Sequence, residues 1–261
     1  MKLKDIMEAL DKLCPFSMQE AFDNSGLQVG DMEKDCKKIL LAFDFTEEVL
    51  KEAIKTKADL IITHHPFLFT PLKSISTANW KGRQIFRLIR ENIALVALHT
   101  NLDKEPQFGV SMMLGRRLGL TNPQILLPEA NGMGFGCIGE LSHSMVYGDF
   151  VRLVQTTLNR PAVKYVGDKT KRVQRIAVSG GSCAEFMDDA QKKNADVFIC
   201  GDLKYHDAQR AQENELCLID AGHFGTEVWV LDALQKRLRQ LFHDMEIEIC
   251  AFINDYWNYQ T

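Results

Sequence analysis

The chain has 261 residues, of which 46% are hydrophobic and 25% are charged, a composition typical of a globular protein with one large or two modest domains. Its net charge of −4 argues against a broad nucleic-acid surface, and no apolar run reaches the roughly 18 residues that indicate a transmembrane helix. The seven cysteines are scattered, no C-x-x-C motif occurs, and the N-terminus lacks the apolar core of a signal peptide. We therefore expect a cytoplasmic protein with reduced thiols and no membrane partner.

Helices and strands are predicted to alternate through the first half of the chain. The Asn-, Ser- and Gly-rich stretch 21–31 is predicted to be a loop, in which Asp23 and Asn24 either reach a site or form a plain turn. Thr46 is a candidate N-cap for the helix that leads into the strand 59–63. In chain order, the other predicted elements are a helix at 3–13, a strand at 39–43, a helix at 80–91, a strand at 93–98 and a helix at 112–118.

Two adjacent histidines, His64 and His65, follow the apolar strand 59–63 and precede Pro66. An apolar run of this kind is typical of a buried strand in a parallel sheet, and ligands collect at the carboxyl ends of such strands. Successive residues on an extended chain point in opposite directions, so both rings serve one site only if the chain turns there. Because imidazole is the commonest side-chain metal ligand, the pair indicates a metal site; the alternative is one core histidine beside one exposed histidine.

The second half begins with a change of composition. Proline and glycine cluster between residues 121 and 146, and we place the subdomain boundary near this stretch. Gly180-Gly181-Ser182 is predicted to open a helix that runs to Lys193, either as a tight turn or as a phosphate-binding turn. The other predicted elements are strands at 135–141, 163–166 and 173–179 and a helix at 147–158.

An internal repeat relates the two halves. The helix and strand that contain Ala58-Asp59 match those that contain Ala195-Asp196 without a gap, and each strand is followed by polar residues. A second match relates the strand 93–98 and its polar successors to the strand 216–220. The simplest interpretation is a duplication, so the predicted fold class is α/β, with two related lobes that face each other across a metal-binding cleft. The alternative is that all strand-helix units look alike.

The strongest site motif is His223-x-x-x-Glu227. If a helix begins near His223, the two side chains lie about one turn apart on one helix face, a spacing that suits two ligands of one metal site. A surface contact on the helix is the alternative. Together with His64, His65 and Asp103 they make three imidazoles and two carboxylates. This set exceeds the four ligands of a tetrahedral zinc ion and fits two metal ions bridged by a carboxylate.

Five stretches of the chain resemble the Nif-three-like dinuclear-metal proteins, known as GTP cyclohydrolase 1 type 2 homologues. The resemblance covers essentially the whole chain, and its motifs are specific. The matching stretches are Asp23-Asn24-Ser25-Gly26-Leu27-Gln28-Val29-Gly30, Thr63-His64-His65-Pro66 with Pro71-Leu72-Lys73, His99-Thr100-Asn101-Leu102-Asp103, Gly201-Asp202-Leu203-Lys204-Tyr205-His206-Asp207, and Asp220-Ala221-Gly222-His223 with Thr226-Glu227.

The resemblance implies a two-lobed protomer, with lobes at 1–125 and 126–261, and a toroidal homohexamer. It maps the metal ligands onto the five residues already reached, with Glu227 as the bridging ligand and two divalent ions (zinc, manganese or iron) per protomer. His99 and His206 are placed in the cleft, as proton carriers or as partners of the ligands. An extra domain found between the lobes of some relatives is expected to be absent.

Three functions remain open at this point. The leading hypothesis is a metal-dependent hydrolase of GTP cyclohydrolase 1 type 2 kind, with a nucleotide substrate, His99 or His206 moving protons, and Lys73 or Lys204 meeting phosphate. The second is a non-catalytic ring protein that binds metal or a protein partner. Nucleic-acid binding is the third, and the acidic net charge argues against it.

Overall fold

The computed structural model describes residues 1–129 and 131–260. The chain divides into two compact units. The first comprises Met1–Leu102 and Leu231–Ile253, and the second comprises Asp103–Val230 and the residues from Asn254. We predicted a boundary between lobes at 125/126. The first boundary between the units lies at 102/103, and the segment Leu231–Ile253 belongs to the first unit.

The described residues alternate between helices and strands, as an α/β fold requires. The helices are α1 (Leu3–Leu13), α2 (Glu47–Thr56), α3 (Trp80–Arg90), α4 (Thr100–Asp103), α5 (Val110–Arg117), α6 (Tyr147–Thr157), α7 (Met187–Lys192), α8 (Tyr205–Glu213), α9 (His223–Glu227) and α10 (Val230–Leu241). The strands are β1 (Gly26–Val29), β2 (Lys38–Ala42), β3 (Leu60–Thr63), β4 (Ala94–Ala97), β5 (Thr121–Pro128), β6 (Gly134–Val146), β7 (Lys164–Val166), β8 (Arg172–Ser182), β9 (Val197–Gly201), β10 (Cys217–Asp220) and β11 (Glu246–Ile249). Short 3₁₀ turns occur at Phe16–Met18 and Ala184–Phe186. No helix among these residues is both long enough and apolar enough to cross a membrane.

The first unit is built on a five-stranded sheet in the order β1-β4-β3-β2-β11. Strands β2, β3 and β4 are parallel, and every residue of β3 and β4 is buried, as the apolar runs predict. Ala42 pairs with Thr63, and Thr63 pairs with Ala97, so these three strands end level with one another. Whatever follows them in the chain therefore lies at one edge of the sheet.

Local signals in the sequence fix the helix that joins β2 to β3. The side chain of Thr46 accepts a hydrogen bond from the backbone N–H of Val49 at 3.2 Å, which confirms the predicted N-cap of α2. Lys57 ends this helix in the left-handed conformation, with φ at 56°. The chain then enters β3 directly.

The second unit is built on a six-stranded sheet in the order β5-β6-β8-β9-β10-β7. Strands β8, β9 and β10 are parallel, whereas β5, β6 and β7 join their neighbours antiparallel. Cys200 pairs with Asp220, and Ser182 pairs with Gly201, so β8, β9 and β10 also end at a common edge.

Four strands of each sheet share one topology, as the internal repeat predicts: β1, β2, β3 and β4 in the first sheet match β7, β8, β9 and β10 in the second. Each has a helix, an edge strand, and then three parallel strands joined by helices, and the edge strand pairs with the last parallel strand in both. Asp59 Oδ2 accepts hydrogen bonds from the backbone N–H groups of residues 37 and 38. Asp196 Oδ2 accepts from those of residues 174 and 175 in the same way. The two matched aspartates therefore have the same structural role, since each accepts hydrogen bonds from two consecutive backbone N–H groups at the neighbouring strand.

Several local predictions were wrong. The stretch 21–31 is not wholly a loop, because 26–29 form β1 on the edge of the first sheet. The stretch 121–146, near which we placed the subdomain boundary, lies within the second unit and forms most of β5 and β6, which pair antiparallel with each other; the predicted strand 135–141 lies inside β6. Gly180-Gly181-Ser182 is the end of β8 rather than the start of a helix, and α7 begins later, at Met187.

Candidate metal centre

The two adjacent histidines share one side of the chain because the backbone turns where β3 ends. The backbone N–H groups of His64 and His65 both donate to the carbonyl oxygen of Phe43, at 3.2 Å each. The hydroxyl of Thr63 donates to the carbonyl oxygen of His65 at 2.8 Å and stabilises the turn. The ring centroids of the two histidines lie 4.8 Å apart, so the condition for a shared site is met.

His99 joins this pair from the end of β4. Its ring centroid lies 5.3 Å from that of His64 and 5.4 Å from that of His65. One ring nitrogen from each of the three histidines lies within 4.8 Å of the others, a grouping that is able to hold a metal ion. His99 was predicted to lie outside the set of metal ligands, and the structure brings it directly beside two of the predicted ligands, His64 and His65.

Each ring of this cluster is held at its Nδ1 by an oxygen atom. His64 Nδ1 lies 2.9 Å from the carbonyl oxygen of Leu98. His65 Nδ1 lies 2.8 Å from Asp44 Oδ1, a carboxylate placed just beyond the end of β2. Carbonyl and carboxylate oxygens only accept, so Nδ1 of His64 and of His65 is the donor in these contacts, and Nε2 has the lone pair whenever the ring is neutral.

Asp23 holds His99 in the same manner. Asp23 Oδ1 lies 2.7 Å from His99 Nδ1, and its side chain is fully shielded from solvent. Burial alone would raise the pKa of Asp23, but hydrogen bonds from His99 and Thr100 and the charge of His99 together lower this pKa well below its ordinary value. The carboxylate is therefore ionised at neutral pH. For Asp23 both a site role and a plain turn were predicted as alternatives, and in the structure it contacts the histidine cluster.

In the second unit, His223 and Glu227 are brought together by α9. The helix begins at His223, as predicted, so the two residues lie one turn apart, and His223 Nε2 is 3.0 Å from Glu227 Oε2. The carboxylate of Glu227 is buried, with 5% of its side chain exposed, whereas 35% of the His223 side chain is exposed. His223 Nδ1 lies 2.8 Å from Asp202 Oδ2, a carboxylate that follows β9.

The glycine pair at the end of β8 lies directly against Glu227. A Cβ atom on Gly181 would lie 2.2 Å from Glu227 Oε1, and one on Gly180 would lie 3.0 Å from Glu227 Cγ. The backbone N–H of Gly181 donates to the hydroxyl of Thr226 at 3.0 Å, which fixes the strand against α9. This role of the glycines was not predicted from the sequence, although the Gly-Gly dipeptide was a visible signal of a close approach.

Asp103 lies at the last position of α4 and is half-buried. The negative charge of Asp103 acts on the thiol of Cys183, a residue that follows the last residue of β8. Burial raises the pKa of the Cys183 thiol to about 12, and the negative charges of Asp103, Glu185 and Glu227 add to this rise. Cys183 is therefore a neutral thiol at physiological pH.

His206 is placed differently from the other predicted site residues. It is exposed on α8, and its Nδ1 lies 3.2 Å from the side-chain oxygen of Gln209. His206 is in none of the candidate metal-ligand groups found among residues 1–129 and 131–260.

Comparison with known proteins identifies the class to which this fold and these clusters belong. The family model of Duf34/NIF3 (NGG1p interacting factor 3) matches residues 1–255. A Clostridium perfringens protein named GTP cyclohydrolase 1 type 2 homolog is 38% identical over 250 residues, which cover 95% of each chain. The crystal structure of Staphylococcus aureus hypothetical protein SA1388 superposes with a TM-score of 0.94 and 32% identity, covering 100% of this chain and 99% of that one. The chain therefore belongs to the DUF34/NIF3 family, and the predicted resemblance is confirmed.

Some relatives are longer than this chain. A GTP cyclohydrolase 1 type 2 homolog from Staphylococcus aureus strain MSSA476 is 28% identical over 354 aligned positions, covering 95% of this chain and 96% of the relative. The alignment has more positions than this chain has residues, so that relative contains inserted segments.

Proposed function

We propose that this chain binds two divalent metal ions through His64, His65, Asp103, His223 and Glu227. The observation that carries the proposal is the way the three histidines are held. Nδ1 of each lies 2.8 to 2.9 Å from a carbonyl or carboxylate oxygen, so Nε2 is the ring nitrogen turned away from these partners. Nε2 of His223 lies 3.0 Å from Glu227 Oε2, so the donor atoms of these two proposed ligands are adjacent. Metal-binding histidines are oriented by contacts of this kind.

The chemistry of the donor set fits two ions better than one. Three imidazoles and two carboxylates exceed the four positions of tetrahedral zinc. Glu227 is our proposed bridging ligand, because a carboxylate has two oxygens to share and this one is buried. Mixed nitrogen and oxygen donors suit zinc, manganese or iron.

We propose His99 as the proton carrier of the site. When bound, divalent ions supply a water of near-neutral pKa and polarise the bond that is attacked. The ionised Asp23 keeps a proton on Nδ1 of His99 and stabilises the ring when a second proton arrives at Nε2. His206 remains a second candidate, although its exposed position on α8 supports the assignment less well.

The reaction that we propose is metal-dependent hydrolysis with a nucleotide substrate. It is supported by the site chemistry and by relatives that carry the name GTP cyclohydrolase 1 type 2 homolog. Metal-loaded protein should convert GTP to dihydroneopterin triphosphate, and His99→Ala should lower kcat by roughly 100-fold or more, the usual contribution of an acid–base group. Absence of turnover of GTP, phosphoesters and amides by the metal-loaded wild type would exclude a hydrolase and leave a metal-binding protein.

The experiment that tests the metal site is elemental analysis of the purified protein. We expect two metal ions per chain in the wild type and one or none in Glu227→Ala, because the proposed bridge is lost. Glu213→Ala is the matched control, since Glu213 is an exposed glutamate at the end of α8. Wild-type protein that takes up no metal on addition would overturn the proposal.

We also propose a homohexamer that works in the cytoplasm, as the family resemblance implies. The seven cysteines form no disulfide with one another in the part of the chain that the structure describes, which is consistent with a reducing compartment. Light scattering of the metal-loaded protein would measure the number of chains directly.

A further inference from the structure

The second unit contains a pocket of about 520 Å³ beside His223. This volume lies within the range of roughly 300–1,000 Å³ that is typical of small-molecule sites. One wall is formed by residues 254–260, which we call the C-terminal strap; Trp257 and Tyr259 line the pocket from this side. Asp202, the carboxylate that holds His223, lines it as well. The pocket therefore opens onto a proposed metal ligand.

A buried arginine fixes the strap in place. Only 4% of the Arg160 side chain is exposed, and its guanidinium donates to the carboxylate of Asp255 and, at 2.8 Å, to the hydroxyl of Tyr259. Arg160 also packs against the loop and helix of His223, since a Cβ on Gly225 would lie 2.4 Å from its Cδ. The strap is thus attached to the same segment of chain that presents His223.

The aromatic residues of the strap present large apolar surfaces. Trp257 is 76% exposed and Tyr259 is 40% exposed, and both lie at the pocket rather than in a hydrophobic core. Aromatic faces of this kind are platforms for planar rings, because stacking is tolerant of the ring that stacks.

The charged groups of the pocket select among planar rings. Asp202, Asp220 and Asp255 line it, and Lys164 lies 2.7 Å from Asp220. Carboxylates only accept hydrogen bonds, so they favour a ring that carries N–H donors. They also disfavour an anionic group at the same position.

We propose that the strap binds the planar nitrogen heterocycle of the substrate, with the ring stacked on Trp257 and its N–H groups donating to Asp202. Arg160 is a positioning residue, because it holds the strap and does not line the pocket. The link to catalysis depends on the proposed metal-dependent hydrolase, whereas binding of the ring does not.

Calorimetric titration with guanosine, adenosine and cytidine tests this directly. These probes carry the ring without phosphate, and ribose 5-phosphate is the probe without the ring. The metal-loaded wild type should bind at least one nucleoside, and Trp257→Ala should weaken that binding about tenfold, as loss of one stacking contact does. Trp257→Phe should retain most of the affinity because it keeps an aromatic face.

The neighbouring residue supplies the matched control. Tyr256 is 69% exposed on the same strap but does not line the pocket, so Tyr256→Ala should change the affinity less than about twofold. Failure of the wild type to bind any of the three nucleosides, or equal binding by Trp257→Ala, would overturn the inference. Metal analysis of the same samples keeps the two proposals separate: nucleoside binding without metal uptake would remove the proposed metal site and leave the ring-binding strap.

Discussion

Single residues at the candidate site are fixed by oxygen atoms that come from distant parts of the chain. His65 contacts Asp44 across 21 positions of sequence, and His99 contacts Asp23 across 76. Adjacent or i,i+4 patterns gave the candidate ligands themselves, including His223 with Glu227. Their carboxylate partners could not be assigned from sequence, because only the fold brings the ends of different strands to one edge.

Asp23→Asn is expected to change how stability depends on pH. Because the folded-state pKa of Asp23 is lowered from its ordinary 3.8, the folded carboxylate stays ionised where the unfolded one binds a proton. Its contribution is fully present above this ordinary pKa, and it is lost as the pH falls toward the folded-state pKa. Acidification below about pH 4 should therefore cost the wild type up to roughly 1.4 kcal/mol per pH unit more than Asp23→Asn.

Urea unfolding of the metal-free proteins between pH 3 and pH 7 measures this difference. Asp244→Asn is the control, because Asp244 is an exposed carboxylate near the C-terminal end of the first unit. Parallel pH profiles for the wild type and Asp23→Asn would show that the Asp23–His99 contact contributes nothing to stability.

At the scale of helices and strands, the sequence predicted the buried parallel strands and the amphipathic helices, because each has a strong periodic pattern. It failed where a strand lacked that pattern. Strand β1 contains a glycine and has only one fully buried residue, and β8 ends in Gly180-Gly181, which resembles a turn. Glycine is required at both positions, because a Cβ on Gly180 would lie 2.2 Å from Val110 Cγ1 and one on Gly181 would lie 2.2 Å from Glu227 Oε1.

Gly181→Ala should therefore disturb the candidate site more than an ordinary glycine substitution. Gly181 has a φ of +70°, and its added methyl would meet Glu227 Oε1. Gly119 provides the control, because its φ is +78° and a Cβ there meets nothing within 4 Å. Gly119→Ala should cost about 1 kcal/mol of backbone strain, the cost of a left-handed residue, whereas Gly181→Ala should cost more and should also lower metal content.

Chemical denaturation of both variants measures the loss of stability, and elemental analysis measures their metal content. The informative result is the difference between them, since the backbone strain is matched. If Gly181→Ala retained the wild-type metal content, Glu227 would not be the ligand that this strand positions.

Across the whole molecule, the same arrangement of four strands occurs in both sheets, but the residues at the strand ends differ. Asp59 and Asp196 make the same backbone contacts in the two sheets, so they have the same structural role. The residues at the ends of the matched strands differ: His64 and His65 follow β3, whereas Gly201, the last residue of β9, and Asp202 occupy the matched positions in the second sheet. The matched strand ends thus carry two proposed metal ligands in the first sheet and, in the second, a carboxylate that contacts the proposed ligand His223.

This division of tasks predicts that metal stabilises the folded chain as a whole. Ligands from distant segments are gathered only in the native state, so a metal that binds there and not to the unfolded chain raises the free energy of unfolding. At a concentration near a thousand times its Kd, one ion contributes about 4 kcal/mol, which should raise Tm by roughly 8–16 °C in a chain of this size. Removal of metal with EDTA should lower Tm by a comparable amount, and zinc or manganese should restore it. The EDTA effect should be much smaller in Glu227→Ala and unchanged in Glu213→Ala, because only the first substitution removes a proposed ligand. Equal shifts in the wild type and Glu227→Ala would place the stabilising metal elsewhere in the molecule.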